Sequence, residues 1–399
     1  MKPEEIKAVI NKHINSDRLK ERLVRAVQRP SYQTDLFEKE PMVLSYIREF
    51  IRPELESAGV RDIRIDDLGN LIARVGKPGS GGSLVFLAYG MTPVPGSMKE
   101  PFSGKIVDGS PWGMPGECLW GRGSCEQKGS TISMIEALEI ILKAGTEPPG
   151  EIVFVTSTAG ETGRHDSIDY IVRHGGLKAD WGILAGAPKI TIGNKGRVDI
   201  TVTIQGKASH SSRPWEGVNA IEGAMLVLER LKKIMPHPSE KSHPELGRVT
   251  LTPIRIESFP KATHTVQDRC EINLDRRLLP GDDPDEAVRQ VRETVGDASP
   301  FKVTVEKGIF MYPSEISKDA PVVKGLSEAI RTMLAREPEF FYSHSTIDAG
   351  YLNRVGVQTV LYGAQVPEFA HTDHDMVALS RVVDATRTYA YLALKGVTK

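Results

Sequence analysis

The sequence predicts an α/β protein, with a mostly parallel-stranded catalytic domain flanked by helices on both faces and interrupted by a smaller α+β domain. Three observations carry this. Short continuous apolar runs such as Leu84-Val85-Phe86-Leu87-Ala88-Tyr89 read as strands buried on both faces. Helical segments alternate with those runs, which is the pattern of a parallel sheet. Near Lys195 the hydrophobic period switches to strict alternation, the mark of a sheet with one polar face.

Taken in order, the segments from about Pro3 to Gln28 and Glu38 to Ser57 have helical spacing, with Val43, Tyr46, Ile47, Phe50 and Ile51 on one stripe. Asp66 to Asn70 is turn chemistry leading into Leu71-Ile72-Ala73-Arg74-Val75, and Gly76 to Ser83 reads as a loop. After the strand at Leu84, a helix over Ser130–Ala144 sets Ile132, Ile135, Leu138 and Leu142 on one face and pairs Glu139 with Lys143. Ile152–Val155 and Trp181–Ala185 are further buried strands, with a short helix over Ser167–Arg173 between them. Val198, Ile200, Val202 and Ile204 then alternate with polar residues. A helix at Val218–Ile234, strands at Arg248–Glu257 and Asp268–Leu278, a helix at Pro284–Val295 and a strand at Phe301–Val305 follow. The order β-α-β-β-α-β is the split-βαβ, ferredoxin-like signature. A helix over Ala320–Leu334, the run Val357–Tyr362 and a helix over Ser380–Lys395 resume the first pattern. The expected organisation is residues 1–194 and 308–399 for the catalytic domain and 195–307 for the insertion.

Composition narrows the function classes. A chain of 399 residues exceeds one simple core. The net charge of -1 provides no basic field for nucleic acid. No apolar run has the length of a membrane span, and the charged N-terminus lacks a signal-peptide core. Cys118, Cys125 and Cys270 do not make a disulfide framework. These features point to a cytoplasmic protein that binds a small molecule.

The stretch richest in chemistry is Gly121-Arg122-Gly123-Ser124-Cys125-Glu126-Gln127-Lys128-Gly129. Its glycines permit positive φ or close approach to a ligand, and Glu126 precedes a helix N-terminus, where negative charge is favoured. This stretch, with Lys207–Ala220, Leu274–Gly281 and Ala370-His371-Thr372, resembles the metal-dependent aminoacylase, acetylornithine deacetylase and glutamate carboxypeptidase hydrolases. The resemblance covers nearly the whole chain. It implies that the inserted domain is a lid and dimerisation domain, so that the protein is a homodimer.

Members of that family hold two metal ions bridged by a carboxylate, and this sequence keeps half of the set. Where H-x-D is expected stands Gly90-Met91-Thr92, where E-P is expected stands Ala187-Pro188, and where E-E is expected stands Gly160-Glu161. The first metal's ligands and the usual general base are therefore missing. Glu126, Glu161 and His371 remain as ligands for one divalent ion (zinc, manganese or cobalt), with open positions as in a catalytic site. A decayed site with hydrogen-bonded relics is the alternative.

Cys125, His374 and Asp373 are candidates for the missing proton carrier, with Thr92 able to orient a water; Cys125 is otherwise a small buried thiol. The resemblance assigns His210 to oxyanion stabilisation across a dimer interface and Arg277 to a substrate carboxylate. His264 stands where a lid asparagine is expected. His344 and Asp348 fall in a family active-site loop. The expected activity is hydrolysis of a C–N bond in a small carboxylate-bearing substrate, an N-acyl amino acid or dipeptide-like molecule. The alternatives are an aminohydrolase acting on an amine-bearing carboxylate and a non-catalytic binding or scaffold protein.

Overall fold

The computed structural model describes residues 1–77, 82–160 and 162–397. Glu161 therefore lies outside the described residues. The chain divides into two compact units: Met1–Ile192 with Ile316–Phe341 and Tyr351–Lys399, and Gly193–Glu315 with Tyr342–Gly350.

The first unit is built on a mixed sheet. Its four central strands, Glu151–Ser157, Ser83–Tyr89, Trp181–Ala185 and Gln358–Tyr362, are mutually parallel and nearly all buried, as continuous apolar runs require. On one side Leu71–Val75 and Asp62–Ile65 add antiparallel, and on the other Ile190–Asn194 adds antiparallel to Gln358–Tyr362. The expectation of a mostly parallel sheet thus holds for the centre and is corrected at both edges. The turn at Asp66–Asn70 explains one edge. Asp66 Oδ1 accepts from Leu68 and Asn70 N–H groups, closing a hairpin that reverses the chain.

Helices cover this sheet. The expected N-terminal helix is two, Pro3–His13 and Ser16–Val27, because the Asn15 side chain caps the second by accepting from Arg18 N. Gly129–Lys143 is buried along almost its whole length, although Leu142, expected on the buried face, is exposed. Lys143 and Glu139 form the expected i,i+4 pair. A small antiparallel sheet of Lys105–Asp108, Glu117–Trp120 and Met376–Ala378 was not anticipated; its strands are four residues or fewer. It joins the start of the GRGSCEQKG loop to the segment that follows His371.

The second unit has a four-stranded antiparallel sheet in the order Thr250–Phe259, Arg269–Leu278, Gly196–Gln205, Lys302–Met311. Helices Ala220–Leu231 and Pro284–Val295 pack on one face over Val198, Ile200, Ile272 and Leu274. This is the β-α-β-β-α-β arrangement. Tyr342, from the segment Tyr342–Gly350, packs against Leu246, Val249 and Leu279, so that segment belongs to the second unit.

Candidate metal centre

In the first unit, Glu126 sits where the chain leaves the strand Glu117–Trp120 and enters the helix Gly129–Lys143. Its Oε2 lies 3.1 Å from His371 Nε2. That approach lacks hydrogen-bond geometry, and Oε2 is buried with no hydrogen-bond partner among the described residues. His371 is held in the left-handed region at φ 61°, a conformation that costs a non-glycine residue about 1–3 kcal/mol and persists where its surroundings impose it. Its side chain is 58% exposed, so the imidazole faces an opening.

The loop bearing Glu126 is clamped by a carboxylate that sequence reasoning missed. Asp375, fully buried, accepts through Oδ2 from Gly123 N at 2.7 Å and Arg122 Nη1 at 3.2 Å. Its Oδ1 accepts from Ser124 Oγ and Cys125 N, each at 3.0 Å. Burial raises the Asp375 carboxyl above its ordinary range, while these backbone hydrogen bonds and the Arg122 charge pull it back. Arg122 also donates to the carbonyls of Pro95 and Thr372. The clue available in sequence was Arg122 itself, since a buried guanidinium requires a carboxylate. Lys128 fixes the other end of the loop. Its Nζ donates to the carbonyls of Ala26 and Arg29 and lies 4.5 Å from the Tyr46 ring centre, and burial pushes the ammonium down to about 7.

The proposed proton carriers fare differently. Cys125 is fully buried, and burial followed by the charges of Asp375 and Glu126 pushes its thiol well up. Burial of this kind favours the neutral thiol. His374 is exposed and forms an aromatic cluster with Trp112 and Trp120, ring centres 6.0 and 5.9 Å away. Asp373 accepts from Ser97 Oγ at 2.5 Å. Thr92 is buried, with its hydroxyl 3.4 Å from the Pro93 carbonyl.

In the second unit, His210 and His264 are stacked with ring centres 6.5 Å apart. His210 Nδ1 is engaged by Ser212, whose N–H donates to it at 3.2 Å and whose Oγ lies 2.8 Å away. Arg277 Nε donates to Asp275 Oδ1 at 2.9 Å, while Nη1 and Nη2 make no hydrogen bond among the described residues. His344 is exposed and Asp348 is buried in Tyr342–Gly350.

Among the described residues no three His, Cys, Asp or Glu side chains converge as a metal cluster. The Glu126–His371 pair nevertheless fits a metal ion as two donors, because a buried carboxylate oxygen without a hydrogen bond stands beside an imidazole nitrogen.

A mixed α/β unit interrupted by a β-α-β-β-α-β unit, with a carboxylate–imidazole pair on its loops, is the arrangement that the sequence resemblance implies. The chain belongs to peptidase family M20/M25/M40, whose model matches residues 91–395. It is 24% identical over 367 residues to YgeY of Escherichia coli, covering 86% of this chain and 88% of that protein. It is also 24% identical over 300 residues to the N-formyl-4-amino-5-aminomethyl-2-methylpyrimidine deformylase of Bacillus subtilis, covering 67% and 70%. Its fold matches an M20 family metallo-carboxypeptidase of Sulfolobus solfataricus at a TM-score of 0.73, with 17% identity and coverage of 93% and 98%. Aminopeptidase PepT of Bacillus cereus matches at 0.71, with 20% identity and coverage of 96% and 99%.

Proposed function

We propose that this protein hydrolyses a C–N bond in a small carboxylate-bearing substrate, an N-acyl amino acid or dipeptide-like molecule, with one divalent metal ion held by Glu126, Glu161 and His371. The observation that carries the reading is the buried, unbonded Glu126 Oε2 set 3.1 Å from His371 Nε2. Family membership and the names of relatives that act on C–N bonds, such as the B. subtilis deformylase, support the reaction class. A zinc, manganese or cobalt ion there supplies Lewis acidity and an acidified water. The chain's own residues do the rest. Asp375, Arg122 and Lys128 hold the Glu126 loop in place, the free nitrogens of Arg277 suit a substrate carboxylate, and the His210 imidazole, held at Nδ1 by Ser212, suits a developing oxyanion. The exposed apolar residues of the second unit support a homodimer through that unit.

The test is elemental analysis of protein purified without chelator, together with a substrate panel. One equivalent of metal per chain, lost in Glu161→Ala and His371→Ala, is the expected result. Metal content that neither substitution changes overturns the site. On a panel of N-acyl amino acids, dipeptides and amino-aromatic acids, release of an amine and a free carboxylate fits the proposal. Ammonia release instead assigns an aminohydrolase, and silence together with absent metal assigns a binding protein.

A further inference from the structure

Gly160 stands where the resemblance leads one to expect a carboxylate base, and the structure shows why no side chain occupies it. A β-carbon added there would lie 2.3 Å from Cγ and Cδ2 of Tyr89 and 2.7 Å from its Cβ. The backbone does not require glycine, since Gly160 is absent from the positive-φ positions. Space alone excludes a side chain. Tyr89 closes the strand Ser83–Tyr89 in register with Ser157, is buried, and donates its N–H to Gln127 Oε1 at 2.9 Å, next to Glu126. The contact with Cβ is set by this backbone placement, so rotating the ring cannot relieve it. Two nearby glycines are constrained differently: Gly90 meets the end of a side chain, and Gly123 also has a left-handed backbone at φ 87°. A β-carbon on Gly90 would approach Ile47 Cδ1 to 3.0 Å, and one on Gly123 would approach Thr92 Cγ2 to 2.5 Å.

We infer that Tyr89 is the residue that closes position 160, so that this site is rebuilt around the tyrosine and its proton transfer runs through a group other than residue 160. Tyr89 acts as a positioning residue, locking the loop that follows the strand Glu151–Ser157 against the loop that carries Glu126. The catalytic part of this inference rests on the metal-hydrolase reading; the interlock itself does not.

A mutant cycle tests it. Gly160→Ala in the wild-type background should lower Tm by roughly 3 °C or more, since an overpacked buried contact forces a backbone shift. Tyr89→Gly removes both the ring and the β-carbon, and in that background Gly160→Ala should cost nothing further. Equal costs in the two backgrounds, or no cost in either, overturn the interlock. For the catalytic part, Tyr89→Gly/Gly160→Glu should raise kcat on the best N-acyl amino acid at least about tenfold over Tyr89→Gly and add an acidic limb to its pH profile. Gly160→Glu alone should do neither. A gain of the same size in Gly160→Glu alone overturns the closure. Metal content measured on each variant separates the two claims, because loss of the metal reading leaves the Tm cycle intact.

Discussion

At the scale of single residues, two carboxylates in this site have opposite environments. Asp375 has every oxygen engaged, whereas Glu126 keeps one buried oxygen unbonded beside an exposed imidazole. They should therefore fail differently. Asp375→Ala leaves Arg122 buried without its carboxylate and removes the acceptor of Gly123 and Cys125 N–H, which should cost about 3–5 kcal/mol in urea unfolding. His371→Ala removes an exposed side chain and should change stability by no more than about 0.5 kcal/mol while abolishing metal retention. A destabilisation of the two variants that is equal in size would show that His371 is part of the loop's scaffold rather than a ligand.

At the scale of elements, the helices Ser16–Val27 and Gly129–Lys143 are joined by a buried ion cluster. Arg22, itself buried, donates to Glu136 Oε2 at 2.7 Å and Glu54 Oε2 at 3.0 Å, and pairs with Glu139 at 2.6 Å, while Arg18 adds bonds to Glu136. Arg22→Met should cost about 3–5 kcal/mol, because Glu136 is fully buried and keeps only Arg18. Burial alone would raise the Glu139 carboxyl, but hydrogen bonds from Lys143 and Arg22 and the charges of Arg22 and Arg18 outweigh it and hold the group below its ordinary value. A depressed carboxyl is less protonated folded than unfolded, so its stabilisation is complete above the ordinary carboxylate range and is lost as pH falls through the folded value. Thermal melts from pH 6 to pH 3 should show a smaller acid loss in Glu139→Gln than in wild type. Elements of this kind were legible in the sequence wherever burial is periodic, as at Val43, Tyr46, Ile47, Phe50 and Ile51, all of which are buried. Strand direction was not, because Leu71–Val75 is as apolar as the parallel strands and only its pairing shows it to be antiparallel. At the site, Gly90, Gly160 and Ala187 could be read as departures from the pattern that the resemblance implies. Neither the Tyr89 ring against Gly160 nor the Asp375 clamp could be read, since both depend on residues distant in sequence meeting at a few ångströms.

At the scale of the whole molecule, the second unit presents a surface that one copy of the chain leaves uncovered. Its sheet ends at Thr250–Phe259, an edge strand whose Ile254 and Ile256 are 62% and 54% exposed. The helix Ala220–Leu231 exposes Met225 at 65% and Ile221 at 39%. A long edge strand bearing isoleucines invites pairing with another strand unless it is blocked, and charge on such an edge is the usual block. In a two-fold dimer the same strand and helix meet their own copies, so a single charge introduced on the edge is placed opposite itself. If the proposed homodimer pairs through this edge, Ile256→Lys should sediment as a monomer at micromolar concentration where the wild type sediments as a dimer. Its first-unit metal content should stay unchanged, since Glu126, Glu161 and His371 all belong to that unit. If His210 serves the partner's site, as the resemblance implies, the same monomer should lose hydrolysis while retaining its metal. Full activity in an Ile256→Lys monomer would confine His210 to its own chain.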